Sequence, residues 1–295
     1  MRLLTTSNPK VVNFTSEQEI PPYAILSHVW DDAEVSFQQM QNLSSIKPDQ
    51  KGYIKIVRAC ELARSDDYEY LWIDTCCIDK TSSAELAEAI NSMYEYYRKA
   101  EVCYAYLADV PPGPSFETAF RDSKWFTRGW TLQELLAPRA VTFLANDWND
   151  IGTKATLREI ITVITGIPSR ILLMNVPVTE ISVAQRMSWA ARRKTTRVED
   201  RAYSLMGLFG VFLPTIYGEG KHAFTTLQEE ILKVSDNQTI FAWTSDDRFG
   251  GLLAASPDNF KDSGEYEPTT PRTDYQRLPY SITNIGLQIH LPLRP

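Results

Sequence analysis

The chain reads as an α/β protein built on a parallel sheet with helices on both faces, and three observations predict it. Strand-like and helix-like segments alternate through the first 150 residues. The strand-like ones are short, nearly continuous apolar runs, as expected for strands covered on both sides. The helix-like ones repeat their apolar residues with helical period, and strand, helix, strand in this order implies parallel pairing.

Taken in order, "YAILSHVW" (23–30) follows Pro21-Pro22 and is a β-branched and aromatic run, fitting a buried strand that enters a loop. "YIKIVRACELAR" (53–64) places apolar residues at 53, 56, 57, 60 and 63, a helical spacing. "EYLWID" (69–74) is a second strand ending in an acid. In the helix that follows, Ser82 and Glu85 stand in capping-box relation, with apolar positions 86, 89, 90, 93 and 97. "EVCYAYLADV" (101–110) is a third strand closed by the turn-rich PPGP, and "AVTFLA" (140–145) a fourth. From about Asp150 the pattern becomes mostly helical, with "TLREIITVITG" carrying a capping box and a terminal glycine, and "YGEG" (217–220) a turn before a helix entered at Lys221. Beyond about Gln238 the chain is strand-like and turn-rich, as if a further module were starting.

Between the third and fourth strands lies "RGWTLQELLAP" (128–138), read as one short helix ending at a proline. At about 100° per residue Leu132, Leu135 and Leu136 share one face, while Glu134 falls opposite, one turn after Trp130. Ligands in parallel sheets bind outside the carboxyl ends of the strands. That rule directs attention to Ser27, His28, Trp30, Asp74 and the loop to Lys80.

Composition narrows the functional classes. With 295 residues and 43% hydrophobic content the chain can bury one large core, or one core with an appendage. A net charge of -7 without a basic run argues against nucleic acid or an anionic membrane as partner. No apolar stretch has the length of a membrane span and none at the N-terminus resembles a signal peptide, so the expected location is cytoplasmic. The four cysteines (60, 76, 77, 103) show neither C-x-x-C pairs nor a disulfide framework, and with three histidines no metal site is expected. Adjacent Cys76 and Cys77 would point to opposite faces of a strand end.

A carboxylate beside an indole suits one reaction. Cleaving an N-glycosidic bond to a cationic leaving group such as nicotinamide needs no general acid, because the leaving group departs neutral; an oxocarbenium-like ribosyl centre must instead be stabilised. Glu134 would do this, with Trp130 or Trp30 stacking a ring. In "WIDTCCIDK" (72–80), Asp74 and Asp79 would position ribose hydroxyls and Lys80 a phosphate, and Arg128 would add positive charge. No dinucleotide fingerprint and no P-loop is present. A Cys77 nucleophile with His28 as base is a further arrangement, without an evident third residue.

Five blocks in order, "YAILSHVW", "LWIDTCCIDK", "AINSMYEYY", "WFTRGWTLQELLAP" and "TTRVEDRAYSLMGLFGVFLPTIYGEGKHAFTTLQEEI", resemble the fungal heterokaryon-incompatibility (HET) domain over roughly residues 1–235. That resemblance implies programmed cell death on fusion of genetically distinct fungal cells, with the domain as effector of a larger receptor. HET domains are in turn similar to TIR domains. Tyr23 to Ser27 looks like their first-strand box, and Trp130 to Leu135 like their W-C-x-x-E-L helix motif, with Thr131 in place of the cysteine. The glutamate of that motif is catalytic in TIR enzymes that hydrolyse NAD, and by position the role falls on Glu134.

The combined expectation is a TIR-like (flavodoxin-like) core over 1–150, a helical part over 151–235 completing the HET domain, and a β-rich extension over 236–295. Its function would be an NAD(P)-consuming glycohydrolase releasing nicotinamide, with NAD or NADP as substrate, no cofactor and no metal. Homo-oligomerisation would be needed for activity, and a receptor or sensor domain would be a further partner. The alternative is a non-enzymatic cell-death module acting by self-assembly and recruitment.

Overall fold

The computed structural model describes residues 1–245, 251–267, 280–283 and 286–289. It divides into two compact units, Met1–Val176 and Pro177–Pro295.

The first unit is α/β. Its elements are β1 (Arg2–Thr5), β2 (Val11–Asn13), β3 (Ala24–His28), α1 (Phe37–Gln41), α2 (Lys51–Ser65), β4 (Tyr70–Trp72), α3 (Asp74–Cys77) and α4 (Ser83–Lys99). They continue with β5 (Val102–Tyr106), α5 (Phe116–Arg121), α6 (Thr131–Leu136), β6 (Val141–Leu144), β7 (Asp150–Thr153), α7 (Arg158–Thr165) and α8 (Ser169–Leu172). Seven described strands form one sheet in the order β2-β1-β4-β3-β5-β6-β7. The expected four-strand core is there: β4, β3, β5 and β6 pair in parallel, so that its strands lie in the order second, first, third, fourth.

Three strands were not foreseen. β1 and β2 form a hairpin joined antiparallel to β4, and β7, placed by sequence in the helical part, pairs antiparallel with β6. All three are edge additions of three or four residues, too short to show an apolar period. The α/β unit therefore runs beyond residue 150, through α7 and α8, to Val176.

Strand alternation decides what meets the sheet on each side. Every residue of β3 is buried. Leu26 and His28 share a face with Tyr104, whose hydroxyl reaches Asp66 at the end of α2 (2.6 Å). Ile25 and Ser27 share the other with Cys103, Ala105 and Phe143, and there Trp125 packs edge-on to Phe143. A close approach holds α2 in place: a Cβ on Gly52 would lie 2.2 Å from the carbonyl oxygen of Ala33. Gly52→Ala is therefore expected to cost about 2 kcal/mol or more, despite the ~1 kcal/mol that alanine gains in a helix. A urea midpoint at or above the wild-type value would contradict this.

Helix ends follow local chemistry. Ser82 accepts from the amide of Glu85 (3.3 Å), but the Glu85 carboxylate turns to the amide of Asp79 (2.7 Å) and to Arg2, so the expected box is half formed. Gly166 ends α7 with φ of 72°, as its position suggested. Thr156 does not cap α7; its hydroxyl takes the amide of Thr153 (2.8 Å). Cys76 and Cys77 lie on the helical turn α3 instead of a strand end, and both are buried.

The second unit is mainly helical: α9 (Val183–Ala190), α10 (Asp200–Tyr203), α11 (Met206–Phe209) and α12 (His222–Val234), with a short hairpin of β8 (Ser281–Thr283) and β9 (Gly286–Gln288). The "YGEG" turn is fixed by Glu199, whose carboxylate accepts from the amides of Gly218 (2.8 Å) and Gly220 (3.0 Å). Described residues beyond 236 pack within this unit. Gln228 bonds both the amide and the carbonyl of Ala254 (each 2.9 Å), and Ser182 donates to Tyr266 O (2.6 Å). Among the described residues no helix is long and apolar enough to cross a membrane.

Candidate active site

The carboxyl end of β3 carries two buried polar residues, Ser27 and His28, after three apolar ones; the site is built on Ser27. Its Oγ accepts from the indole Nε1 of Trp125 (2.7 Å) and donates to the Glu134 carboxylate. Both capacities of the hydroxyl are thereby satisfied in a place where an unmet one would be costly. Trp125 sits in a short 3-10 turn, Lys124–Thr127, whose end leads through Arg128 to α6.

Glu134 itself is partly buried on α6, a helix covered on almost every side, with Thr131, Leu132, Gln133, Leu135 and Leu136 all buried. On its face away from the leucines, Glu134 meets Ser27 at the carboxyl end of β3. The end of α6 is held by Lys154, a buried lysine of the segment after β7, whose ammonium donates to Pro138 O (2.5 Å) and Leu135 O (3.2 Å). Burial depresses the Lys154 pKa to about 8.

Burial is also the largest influence on Glu134 and lifts its carboxyl to about 7. The Arg128 guanidinium and the bond from Ser27 oppose the rise, Asp74 adds to it, and Tyr97 opposes it by hydrogen bonding. Glu134 thus lies within electrostatic reach of Asp74, on the turn after β4, and of Tyr97, a fully buried residue of α4. An acid held near neutrality among strand-end groups is a recurrent feature of catalytic sites.

The surroundings of Trp30 are charged. Trp30 is 48% exposed, with Lys80 Nζ 3.6 Å from its ring centroid and Arg128 Cζ at 5.9 Å. Lys80 also pairs with Asp74 (3.6 Å), and Arg128 donates to the carbonyl of His28 (2.8 Å). Seven sequence-selected residues, Ser27, Trp30, Asp74, Lys80, Arg128, Glu134 and the backbone of His28, are therefore linked by these contacts.

Asp79, Trp130 and the ring of His28 are placed differently. The His28 ring, one position past Ser27 and so on the opposite face, lies buried with Nε2 3.5 Å from Glu34, itself paired with Lys55. Asp79 is engaged by its own turn: its carboxylate accepts from the amide (2.9 Å) and hydroxyl (2.6 Å) of Thr81 and from Gln38 (2.5 Å). Those bonds, from Thr81 first, hold its carboxyl below the usual range. Trp130 is the half-buried N-cap of α6, and the indole bound to Glu134's partner is Trp125. Nor do Cys77 and His28 form a dyad, since Cys77 Sγ accepts from the amide of Ile73 (3.4 Å) while His28 faces Glu34.

Sequence reasoning missed Trp125 and Tyr97. Tyr97 was visible only as an apolar position of its helix, and Trp125 lies in a stretch without period. Two clefts, of about 160 Å3 beside Arg2, Trp72 and Tyr96 and about 340 Å3 beside Arg121, Leu157 and Val163, involve none of the Glu134 group. Among the described residues no cluster of three or more His, Cys, Asp or Glu could hold a metal ion.

Comparison with known proteins adds two findings. Residues 23–112 match the family model described as "Heterokaryon incompatibility protein (HET)". The chain is 46% identical over 246 residues, 79% of its length, to "Vegetative incompatibility protein HET-E-1" of Podospora anserina, of which it spans 18%. No solved structure matches it.

Proposed function

Because the chain belongs to the heterokaryon-incompatibility (HET) family, we propose that it is a cell-death effector of fungal non-self recognition that acts by hydrolysing NAD or NADP to nicotinamide and an ADP-ribose product. The observation that carries this reading is Glu134: a partly buried acid, lifted to about 7, bonded to Ser27 at the carboxyl edge of a parallel sheet. The flavodoxin-like strand order and the likeness of residues 130–135 to the TIR helix motif support the same assignment.

In this reading the ionised Glu134 orients the ribose hydroxyls and stabilises positive charge as the bond from C1′ to the pyridinium nitrogen lengthens. The bonding pair leaves with nicotinamide, which departs neutral, and water adds to C1′ with loss of a proton. Trp30 offers a ring face, and Arg128 a charge for the diphosphate. Ser27 and Trp125 orient the carboxylate, and neither touches substrate. Catalysis proceeds in homo-oligomers, which a sensor domain in a longer protein would drive.

Killing by assembly alone makes the opposite prediction for one variant. Expression of the Glu134→Gln form in a fungal host is expected to abolish both cell death and the fall in cellular NAD, at unchanged protein level. Death that persists with NAD intact would overturn the enzymatic reading in favour of recruitment.

A further inference from the structure

The ring of Trp30 is already occupied. Lys80 Nζ lies 3.6 Å from its centroid and 3.6 Å from Asp74 Oδ2, so an ammonium is held between an aromatic face and a carboxylate. We propose that Lys80 is an internal plug for a subsite that binds a planar cationic ring, and that the substrate's ring enters by displacing it.

The surroundings define what that subsite takes. An aromatic face attracts cations through its quadrupole, and an adjacent carboxylate reinforces the preference for positive charge. Arg128, at 5.9 Å from the same ring, provides a neighbouring charge for an anionic appendage. An aromatic cation carrying phosphate, as in a pyridinium nucleotide, satisfies all three groups at once. The Lys80 ammonium supplies the charge of such a ring without its plane.

The plug is built to move while its anchor stays. Residues 79–81 are pinned by the Asp79 carboxylate on the amide and hydroxyl of Thr81 (2.9 and 2.6 Å). The Lys80 side chain above that turn is 33% exposed, and its four-carbon stem can carry the ammonium into water without shifting the backbone. The resting site is therefore filled by its own side chains, and every ligand competes with Lys80 for Trp30 and Asp74. Removing a competitor raises apparent affinity by the reciprocal of the fraction of time the site stood free of it.

This inference rests on the proposed role of Trp30 in ring stacking, and its test reads binding alone. Titration of the purified protein with 1-methylnicotinamide, a pyridinium without phosphate, by calorimetry is expected to give about three- to tenfold tighter binding for Lys80→Ala than for wild type. Lys80→Arg, which keeps a cation on the ring, should stay at the wild-type value, and Trp30→Leu added to Lys80→Ala should remove the gain. Lys47→Ala, at an exposed site outside this group, reports the effect of net charge alone and should change nothing. Equal or weaker binding by Lys80→Ala, or an equal gain in Lys47→Ala, would overturn the plug. Tighter binding by Lys80→Ala without any nicotinamide release from NAD would leave the plug standing and remove the hydrolase. Release by wild type with no gain in Lys80→Ala would do the reverse.

Discussion

Glu134→Gln is expected to unfold at a higher temperature than wild type at pH 8 and at the same temperature at pH 4. The folded state keeps the Glu134 proton up to about pH 7, while an unfolded glutamic acid releases it near 4.5. Between those values the native protein binds more protons than the unfolded chain, so the stability contributed by this group is full below 4.5 and is lost as pH rises through 7. The difference amounts to at most about 3 kcal/mol at pH 8, or roughly 6–12 °C for a unit of this size. An amide that cannot ionise escapes this loss, and its oxygen still accepts from Ser27. In the proposed reaction the same proton would act in the opposite sense: the carboxylate form rises with pH, so nicotinamide release by wild type should climb about tenfold between pH 6 and a plateau above 8. A flat profile, or a destabilised Glu134→Gln, would mean that Glu134 is an ordinary solvated acid.

Trp125→Ala should cost about 3–5 kcal/mol, a large share of the 5–15 kcal/mol that holds a domain folded. Trp125 is fully buried and meets Phe126 and Phe143 edge-on at 5.1 and 5.5 Å, and Phe120 closes the same cluster. Trp125→Phe separates packing from positioning. It keeps most of the ring volume but removes the Nε1 donor that holds Ser27, for a cost of about 1–2 kcal/mol. The variant should fold, and its kcat should fall while KM for NAD stays near the wild-type value, because Trp125 acts only through Ser27 and Glu134. Chemical denaturation and steady-state kinetics on the same preparation read both effects. A Trp125→Phe protein with normal kcat would show that the Ser27 contact serves stability alone.

The parallel core was legible because its strands are covered on both sides and so read as unbroken apolar runs. Within "YAILSHVW" (23–30) the strand β3 takes up Ala24–His28. The edges were not legible. "DIGT" contains a glycine and no apolar alternation, and it becomes a strand only because β6 offers it an unpaired edge. Strand-end position pointed to Ser27 and Asp74, and the helix face opposite the leucines pointed to Glu134. Side-chain direction was not legible. His28 and Ser27 are neighbours in sequence, and the strand sends one imidazole to Glu34 and one hydroxyl to Glu134. Asp79 and Lys80 are likewise adjacent, yet one carboxylate closes a turn while the ammonium lies on Trp30. The indole at the heart of the site is Trp125 and not Trp130, because the 3-10 turn before α6 carries the former under the sheet.

The central claim is that Glu134 acts on the glycosidic bond of a pyridinium nucleotide, and nicotinamide release measures it most directly. Concentrated, assembled wild-type protein incubated with NAD, and separately with NADP, should release nicotinamide in step with the loss of dinucleotide. Glu134→Gln, folded by circular dichroism and assembled to the same extent, should release at least about 10²-fold less. Equal release by the two proteins, or none by an assembled wild type with either dinucleotide, would contradict the account.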